Sequence, residues 1–234
     1  MVVSATCEPF WNGRISNGLP VNILICVATS LERSLINDGS VNGTRVRVIE
    51  MGVGPVNAAH AATMAIVKER PDAIVVCGIG GAYPSSGLNI GDVVSAAFEI
   101  YGDLGAQSPT GFLDMQALGF PVVSTPTVLF NELPMPLIPT SRSVRFVTVS
   151  TCTGIASTAR DIEARTQGAV ENMEGAAVAH VAHIHGVPVG EVRGISNVVT
   201  NRDTKSWRLR EAADAAQQSV LTWLNSVGPQ DLKT

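Results

Sequence analysis

One helix–strand unit of this sequence places two polar groups where a fold would present them to a ligand. Residues 169–197 read AVENMEGAAVAHVAHIHGVPVGEVRGISN. A short apolar run ends in Glu171, Asn172, Met173 and Glu174, and small residues follow at Gly175, Ala176, Ala177, Ala179 and Ala182. The spacing of Ala177, Val178, Val181, Ala182 and Ile184 predicts a helix over Met173–His185 that buries one face. Gly186 and Pro188 stop it. A nearly apolar strand, Val187–Ser196, broken only by Glu191 and Arg193, then runs into Asn197 at its carboxyl end, where open α/β sheets place ligands. Glu174 brings a carboxylate that accepts hydrogen bonds, and Asn197 an amide that both donates and accepts.

A third acid stands at the end of the first apolar strand, in Thr29-Ser30-Leu31-Glu32. Two readings stay open for Glu32: the reach-back half of a capping box whose N-cap is Thr29, or a carboxylate at the mouth of a strand–helix turn, facing the ligand crevice. GVGPVN at 52–57 is a near miss for a dinucleotide fingerprint, since Asn57 replaces the third glycine and Pro55 sits inside the turn. The glycine cluster Gly78, Gly80, Gly81 lacks the Lys-Ser/Thr of a phosphate loop and is open to two readings, a tight strand-to-loop turn or backbone approach to a ligand. His180, His183 and His185 cannot share one helical face, and no HExxH or zinc-spaced cysteine accompanies them. No metal and no cofactor is expected. GxSxG is absent, which leaves a serine hydrolase without support.

These groups need a scaffold. Strand signals recur at Val21–Ala28, Thr44–Glu50, Ala73–Cys77, Asp92–Ile100, Val122–Phe130, Val144–Thr151 and Val187–Ser196. Helical patterns fall between several of them, at Val56–Arg70, Ala156–Thr166, Met173–His185 and Ser206–Val227. Near-continuous apolar strands alternating with helices predict a single-domain three-layer α/β/α fold with a mixed, mostly parallel central sheet. Residues 102–121 read as loop-rich. Residues 1–20 read as a flexible polar extension, and residues 21–234 as one catalytic domain.

Bulk composition narrows the partners. The chain has 234 residues, 45% of them hydrophobic and only 15% charged, against about 25% charged in typical domains. Such a sequence buries a large core, and its charge-poor surface implies a subunit interface. A net charge of −4 argues against nucleic acid or an anionic membrane as partner. No apolar run reaches the ~18 residues of a membrane span. Cys26, Cys77 and Cys152 sit in or at the end of apolar runs, which points to reduced thiols in a cytoplasmic protein.

Several segments together resemble the purine nucleoside phosphorylase and nucleosidase superfamily, and within it the hydrolases. They are GVGPVNAA at 52–59, VENMEGAA at 170–177 with one residue more than the usual ribose-binding segment, and RGISN at 193–197, where Asn197 stands in place of the Asp of adenine-specific nucleosidases. The resemblance covers about Val21 to Val227. GIGGAYP at 78–84, EIYGDLG at 99–105, GFLD at 111–114 and Arg202, Asp203 and Trp207 look most like the branch that releases hypoxanthine from futalosine in menaquinone biosynthesis. The resemblance implies a nucleoside phosphorylase-like fold and a homo-oligomer, a dimer or higher, that takes a small-molecule nucleoside.

It also implies roles. Glu174 would hold the ribose hydroxyls, Met173 would pack beneath the sugar, Glu32 would orient the water, and Arg193 would hold that water or Glu174; a buried salt bridge is the alternative for Arg193. Gly154 and Ile155 would complete the base pocket, and Ile79 and Gly80 would line the ligand. Phe112 matches an aromatic that reaches into the neighbouring subunit's site. Arg202 is a candidate for a carboxylated tail, or else an ion pair with Asp203. Val76 and Ile79 stand where phosphorylases of the family hold phosphate, which favours water as acceptor. An amide at Asn197 meets a 6-oxopurine edge, donating to O6 and accepting from N7–H. Alternatives are a methylthioadenosine/adenosylhomocysteine nucleosidase, a non-catalytic nucleoside-binding protein and, weakest, a nicotinamide enzyme.

Overall fold

The computed structural model describes residues 21–137, 139–140 and 142–226. The expected extension at residues 1–20 lies outside them. The chain begins with β1 (Asn22–Val27), a 3-10 turn at Ser30–Arg33, β2 (Gly39–Val41) and β3 (Thr44–Glu50). It continues through α1 (Pro55–Glu69), β4 (Ala73–Ala82), β5 (Val93–Tyr101), β6 (Gly105–Ser108), β7 (Gly111–Asp114) and α2 (Met115–Leu118). Then follow β8 (Glu132–Pro134), β9 (Ser143–Thr148), α3 (Ala156–Thr166), β10 (Val170–Asn172), α4 (Gly175–His185), β11 (Val189–Val198) and α5 (Leu209–Ser226).

Nine strands form one sheet in the order β10-β9-β5-β11-β4-β1-β3-β2, with β8 on β5. The pairings β1–β3, β1–β4, β4–β11, β5–β9 and β9–β10 are parallel. The β5–β11, β2–β3, β5–β8 and β4–β10 pairings are antiparallel. Because β10 pairs with both β9 and β4, the sheet curls until its end closes on itself. Helices α1 and α4 pack together on one face, over Leu24, Ile74, Val76 and Ile195, while α5 covers Ile25, Val75 and Val192 on the other. This is the three-layer α/β/α arrangement with a mixed sheet. The alternation along β11 divides the two faces: Val189 and Ile195 point to α4, Val192 to α5.

Local structure departs from the sequence expectation in three places. Strand β4 does not stop at Cys77 but runs to Ala82, so Gly78, Gly80 and Gly81 are strand residues and not a turn. Residues 122–130 form no strand: Val123 and Leu129 meet in an isolated antiparallel bridge, around a bend whose Pro126 has no N–H to give a ladder. Residues 102–121 are not all loop, since β6 and β7 pair as a hairpin and α2 follows, capped by the Asp114 carboxylate on Ala117 N–H at 2.7 Å.

Candidate active site

The carboxyl end of β11, the N-terminus of α4 and the turn after β1 meet around a cavity of about 170 Å³, lined among others by Glu32, Glu174, Arg193 and Asn197. Glu174 is the N-cap residue of α4, 3% exposed. Gly54 N–H donates to its Oε1 at 3.1 Å and Arg193 Nη2 to its Oε2 at 3.3 Å. The glycine turn before α1 is what allows the first bond. Gly52 and Gly54 take φ of 86° and 96°, which side chains disfavour, and this turns the Gly54 N–H toward the carboxylate.

Glu32, also 3% exposed, makes the capping contact and also lines the cavity. Its Oε2 accepts from the Ala28 and Thr29 N–H groups at 3.1 and 3.0 Å, the capping interaction. Its Oε1 accepts from Ile79 N–H at 2.9 Å and faces Arg193 Nη1 at 3.9 Å. The two sets of contacts fall on different oxygens, and Oε1, with one hydrogen bond, has a lone pair left to accept another.

Arg193 is the hub. At 2% exposure it reaches Glu191 Oε1 through Nε at 2.7 Å, Glu174 through Nη2 and Ile79 O through Nη1 at 3.0 Å. Burial alone would pull its guanidinium down; the carboxylates of Glu191, Glu174 and Glu32 outweigh that and hold it firmly protonated. Gly78 makes room for this: a Cβ there would stand 2.4 Å from Glu32 Oε1 and 2.6 Å from Arg193 Nη1.

Asn197 follows a bulge in β11. The register with β4 shifts between Ile195, opposite Gly80, and Asn197, opposite Gly81. Bulges re-aim side chains, and both Ser196 and Asn197 line the cavity. Asn197 Oδ1 accepts from Ser196 Oγ at 2.7 Å and its Nδ2 donates to Val198 O at 3.2 Å. One N–H and one lone pair of the amide are left for a ligand.

Of the other expected site residues, Met173, Ile79 and Gly80 line the same cavity. Gly154 and Ile155 do not: Gly154 packs on Arg202, and Ile155 is 60% exposed at the start of α3. Cys152, Val199 and Trp207 form that wall instead. Phe112 stands apart on β7, with the Arg165 guanidinium 4.2 Å from its ring centroid. It lines a separate, larger cavity of about 470 Å³. The arginines of that cavity are engaged, Arg145 with Glu132 at 2.6 Å and Arg165 with Gly102 O and Asp161, and Glu32, Glu174 and Asn197 are not in its walls. Arg202 stacks on Trp207 at 4.8 Å and does not pair with Asp203, which caps Lys205 N–H. His180 Nε2 donates to Val122 O at 2.6 Å, and His183 Nε2 lies 2.9 Å from Pro134 O; burial lowers both rings.

Sequence reasoning passed over Asn172. It is 5% exposed, and its Oδ1 accepts from Glu174 and Gly175 N–H at 2.9 and 2.8 Å, while Nδ2 donates to Glu99 Oε1 at 2.5 Å. The only signal was its position as the extra residue before Met173.

Comparison with known proteins adds relatives to this geometry. A profile described as the phosphorylase superfamily matches residues 35–225. Futalosine hydrolase of Streptomyces coelicolor is 35% identical, over 86% of this chain and 94% of its own length. That of Thermus thermophilus is 30% identical, over 80% and 85%. The 5′-methylthioadenosine/S-adenosylhomocysteine nucleosidase of Shewanella oneidensis is 30% identical, over 76% and 79%. Among solved structures, S-adenosylhomocysteine nucleosidase from Streptococcus pyogenes in complex with 5-methylthiotubericidin superposes with a TM-score of 0.74 at 22% identity, over 92% of this chain and 99% of that one. At that identity the likeness is one of fold.

Proposed function

The chain belongs to the phosphorylase superfamily, and from that premise we propose that it hydrolyses the N-glycosidic bond of futalosine, releasing hypoxanthine and leaving dehypoxanthine futalosine. The observation that carries this reading is the convergence of Glu174, Glu32 and Asn197 on one cavity. Three tasks must be met when a purine leaves a sugar: stabilise an oxocarbenium-like cation, bring water to the anomeric carbon, and assist the departing base.

Glu174 takes the first task. Its carboxylate, held by Gly54 N–H and Arg193, accepts from the 2′- and 3′-hydroxyls and opposes the growing positive charge in a water-poor site. Met173 packs beneath the sugar. Glu32 takes the second, its free Oε1 lone pair accepting a proton of the attacking water. Arg193, 3.3 Å from Glu174 and 3.9 Å from Glu32, offsets the repulsion between the two carboxylates and holds them in place. Asn197 takes the third, donating to O6 and accepting from the N7–H formed as the base departs. A nucleoside outgrows a cavity of about 170 Å³, since enclosing pockets run to ~300–1,000 Å³. The 5′ tail therefore extends beyond it, and Arg202, whose guanidinium stacks on Trp207, is the candidate partner for a carboxylated tail.

Water, not phosphate, is the acceptor. Val76 is buried, and Ile79 spends its N–H on Glu32, so neither offers an anion a partner. The reading includes a homo-oligomer in which Phe112 of one subunit covers its neighbour's site. Its support is α1, which exposes Val56, Met64 and Val67 at 82%, 58% and 61%, an apolar face that a partner subunit would cover. It also includes the cytoplasm and menaquinone biosynthesis. No described helix is long and apolar enough to cross a membrane.

A methylthioadenosine/adenosylhomocysteine nucleosidase is the second reading, favoured by the 30% identical relative of that name. One assay separates the two: released base and free sugar from futalosine and from methylthioadenosine, with and without phosphate. Hypoxanthine and free sugar, unaffected by phosphate, support the proposal; adenine at a comparable rate, or a sugar phosphate, overturns it.

A further inference from the structure

Behind Arg193, and outside the walls of the cavity, lie two carboxyl side chains that hydrolysis does not use directly. Glu99 on β5 and Glu191 on β11 are both 0% exposed. Each oxygen of Glu99 has a donor: Asn172 Nδ2 reaches Oε1 at 2.5 Å, and Thr148 Oγ1 reaches Oε2 at 2.8 Å. Glu191 Oε1 has Arg193 Nε at 2.7 Å, but its Oε2 is buried with no donor among the described residues. That orphaned oxygen points at Glu99. A Cβ placed on Gly175 would stand 2.1 Å from Glu191 Oε2 and 2.2 Å from Glu99 Oε1, so the two oxygens meet beneath the one residue of α4 that has no side chain.

Charge counting makes the same point. Glu32, Glu99, Glu174 and Glu191 surround a single guanidinium, Arg193. The titratable groups facing the pair are Arg193 on β11, Glu174 from α4, Tyr101 from β5 and Cys77 from β4; Thr148 from β9 and Asn172 from β10 are neutral. Two adjacent carboxylates in a dry interior cannot both ionise at small cost.

We propose that Glu99 and Glu191 share one proton, carried on Glu99 Oε1 and donated to Glu191 Oε2, and that this pair is the positioning element that fixes Arg193 between Glu174 and Glu32. The protonated oxygen accepts from Asn172 while it donates to Glu191, which a carboxylic O–H can do and a carboxylate cannot. Glu191 then keeps its whole charge for Arg193 Nε. Burial raises Glu99 well above the ordinary carboxyl value, with Glu191 the next cause; burial raises Glu191 as well, against the pull of Arg193. The directions agree with Glu99 as the proton's carrier. A neutral Glu99 also spares Arg193 a second anion that would draw it from the cavity.

The positioning role rests on the hydrolysis proposed above; the shared proton does not. Glu191→Gln is the informative variant. Its amide nitrogen donates to an ionised Glu99, its oxygen still accepts from Arg193, and only the proton and the place of the charge change. Infrared spectra of the full chain give the first readout, the carbonyl band of a protonated carboxylic acid. The wild type is expected to hold this band above neutral pH, and both Glu191→Gln and Glu99→Gln to lose it. For Glu191→Gln, kcat should fall on the order of 10- to 100-fold, as misplacement of a catalytic group does, with KM little changed and the alkaline limb of the pH profile removed. No band in the wild type, or a band kept in both variants, overturns the pair. An unchanged kcat overturns its positioning role. A proton found in a chain that releases no base would count against the proposed reaction and leave the pair standing.

Discussion

Arg193 Nη2 lies 3.3 Å from Glu174 Oε2, and this contact ties the carboxylate at the start of α4 to the strand that carries Asn197. The same guanidinium faces Glu32 at 3.9 Å and Glu191 at 2.7 Å. Removing it strands three buried carboxylates. Arg193→Met should cost about 3–5 kcal/mol of stability, the usual result of breaking a buried ion pair, and should abolish turnover. Urea unfolding with a parallel base-release assay checks both. Stability within 1 kcal/mol of the wild type, roughly the worth of an exposed pair, would mean that Arg193 is not the hub.

Glu32 caps with Oε2 and meets Ile79 N–H with Oε1, and a single substitution separates the cap from the proposed handling of water. Glu32→Gln keeps an acceptor for the Ala28 and Thr29 N–H groups, so stability should drop by only about 1 kcal/mol. Turnover should drop by ~10²–10⁴, as when a positioned base is removed. A variant that loses stability but retains kcat would reduce Glu32 to a cap.

Gly78 is needed for space, not for backbone freedom. The Cβ of Gly78→Ala would press on Glu32 Oε1 and Arg193 Nη1 at 2.4 and 2.6 Å. Overpacking of this kind costs about 1–3 kcal/mol, and here it also splays the pair that holds the water. kcat should fall more than KM rises; steady-state kinetics on futalosine would show the split, and wild-type kinetics would contradict it.

The contribution of the buried carboxyls to stability should decline as pH rises, opposed on the acid side by His180 and His183, whose rings burial lowers. Burial holds Glu99, Glu191 and Glu171 above the ordinary carboxyl value of 4.5 in the folded chain. A carboxyl raised on folding binds its proton more tightly in the native state than in the unfolded one. Its contribution is therefore greatest at low pH and is lost as pH climbs from about 4.5 through the folded value. Urea midpoints across pH 5–9 should fall more steeply for the wild type than for Glu191→Gln; parallel curves would contradict this.

Much of this was legible in the sequence because local patterns carried it. Residues 156–166 have the helical spacing and become α3 with the same bounds. Glu32, Glu174 and Asn197 reach one cavity because each lies near the end or the start of an element whose pattern was clear, and Arg193 reaches it from within β11. What stayed hidden depended on neighbours far off in sequence. Asn172 looked like an insertion, yet β10 lies between β9 and β4, and that places its amide against Glu99 and the start of α4. Glu99 sat in an apolar strand with nothing to mark its partner 92 positions on. The glycines of β4 suggested a turn, because the side chains they make way for, Val170, Val199, Glu32 and Arg193, come from other elements.

The central claim is that Asn197 reads a 6-oxopurine edge in the cavity where Glu174 holds the sugar. Measuring kcat/KM for futalosine and its 6-amino analogue, on the wild type and on Asn197→Asp, tests it directly. The wild type should prefer the 6-oxo nucleoside, and the variant should lose activity on it while gaining on the 6-amino one, since a mismatched buried edge leaves partners unmet. An unchanged ratio would mean that the base is read elsewhere.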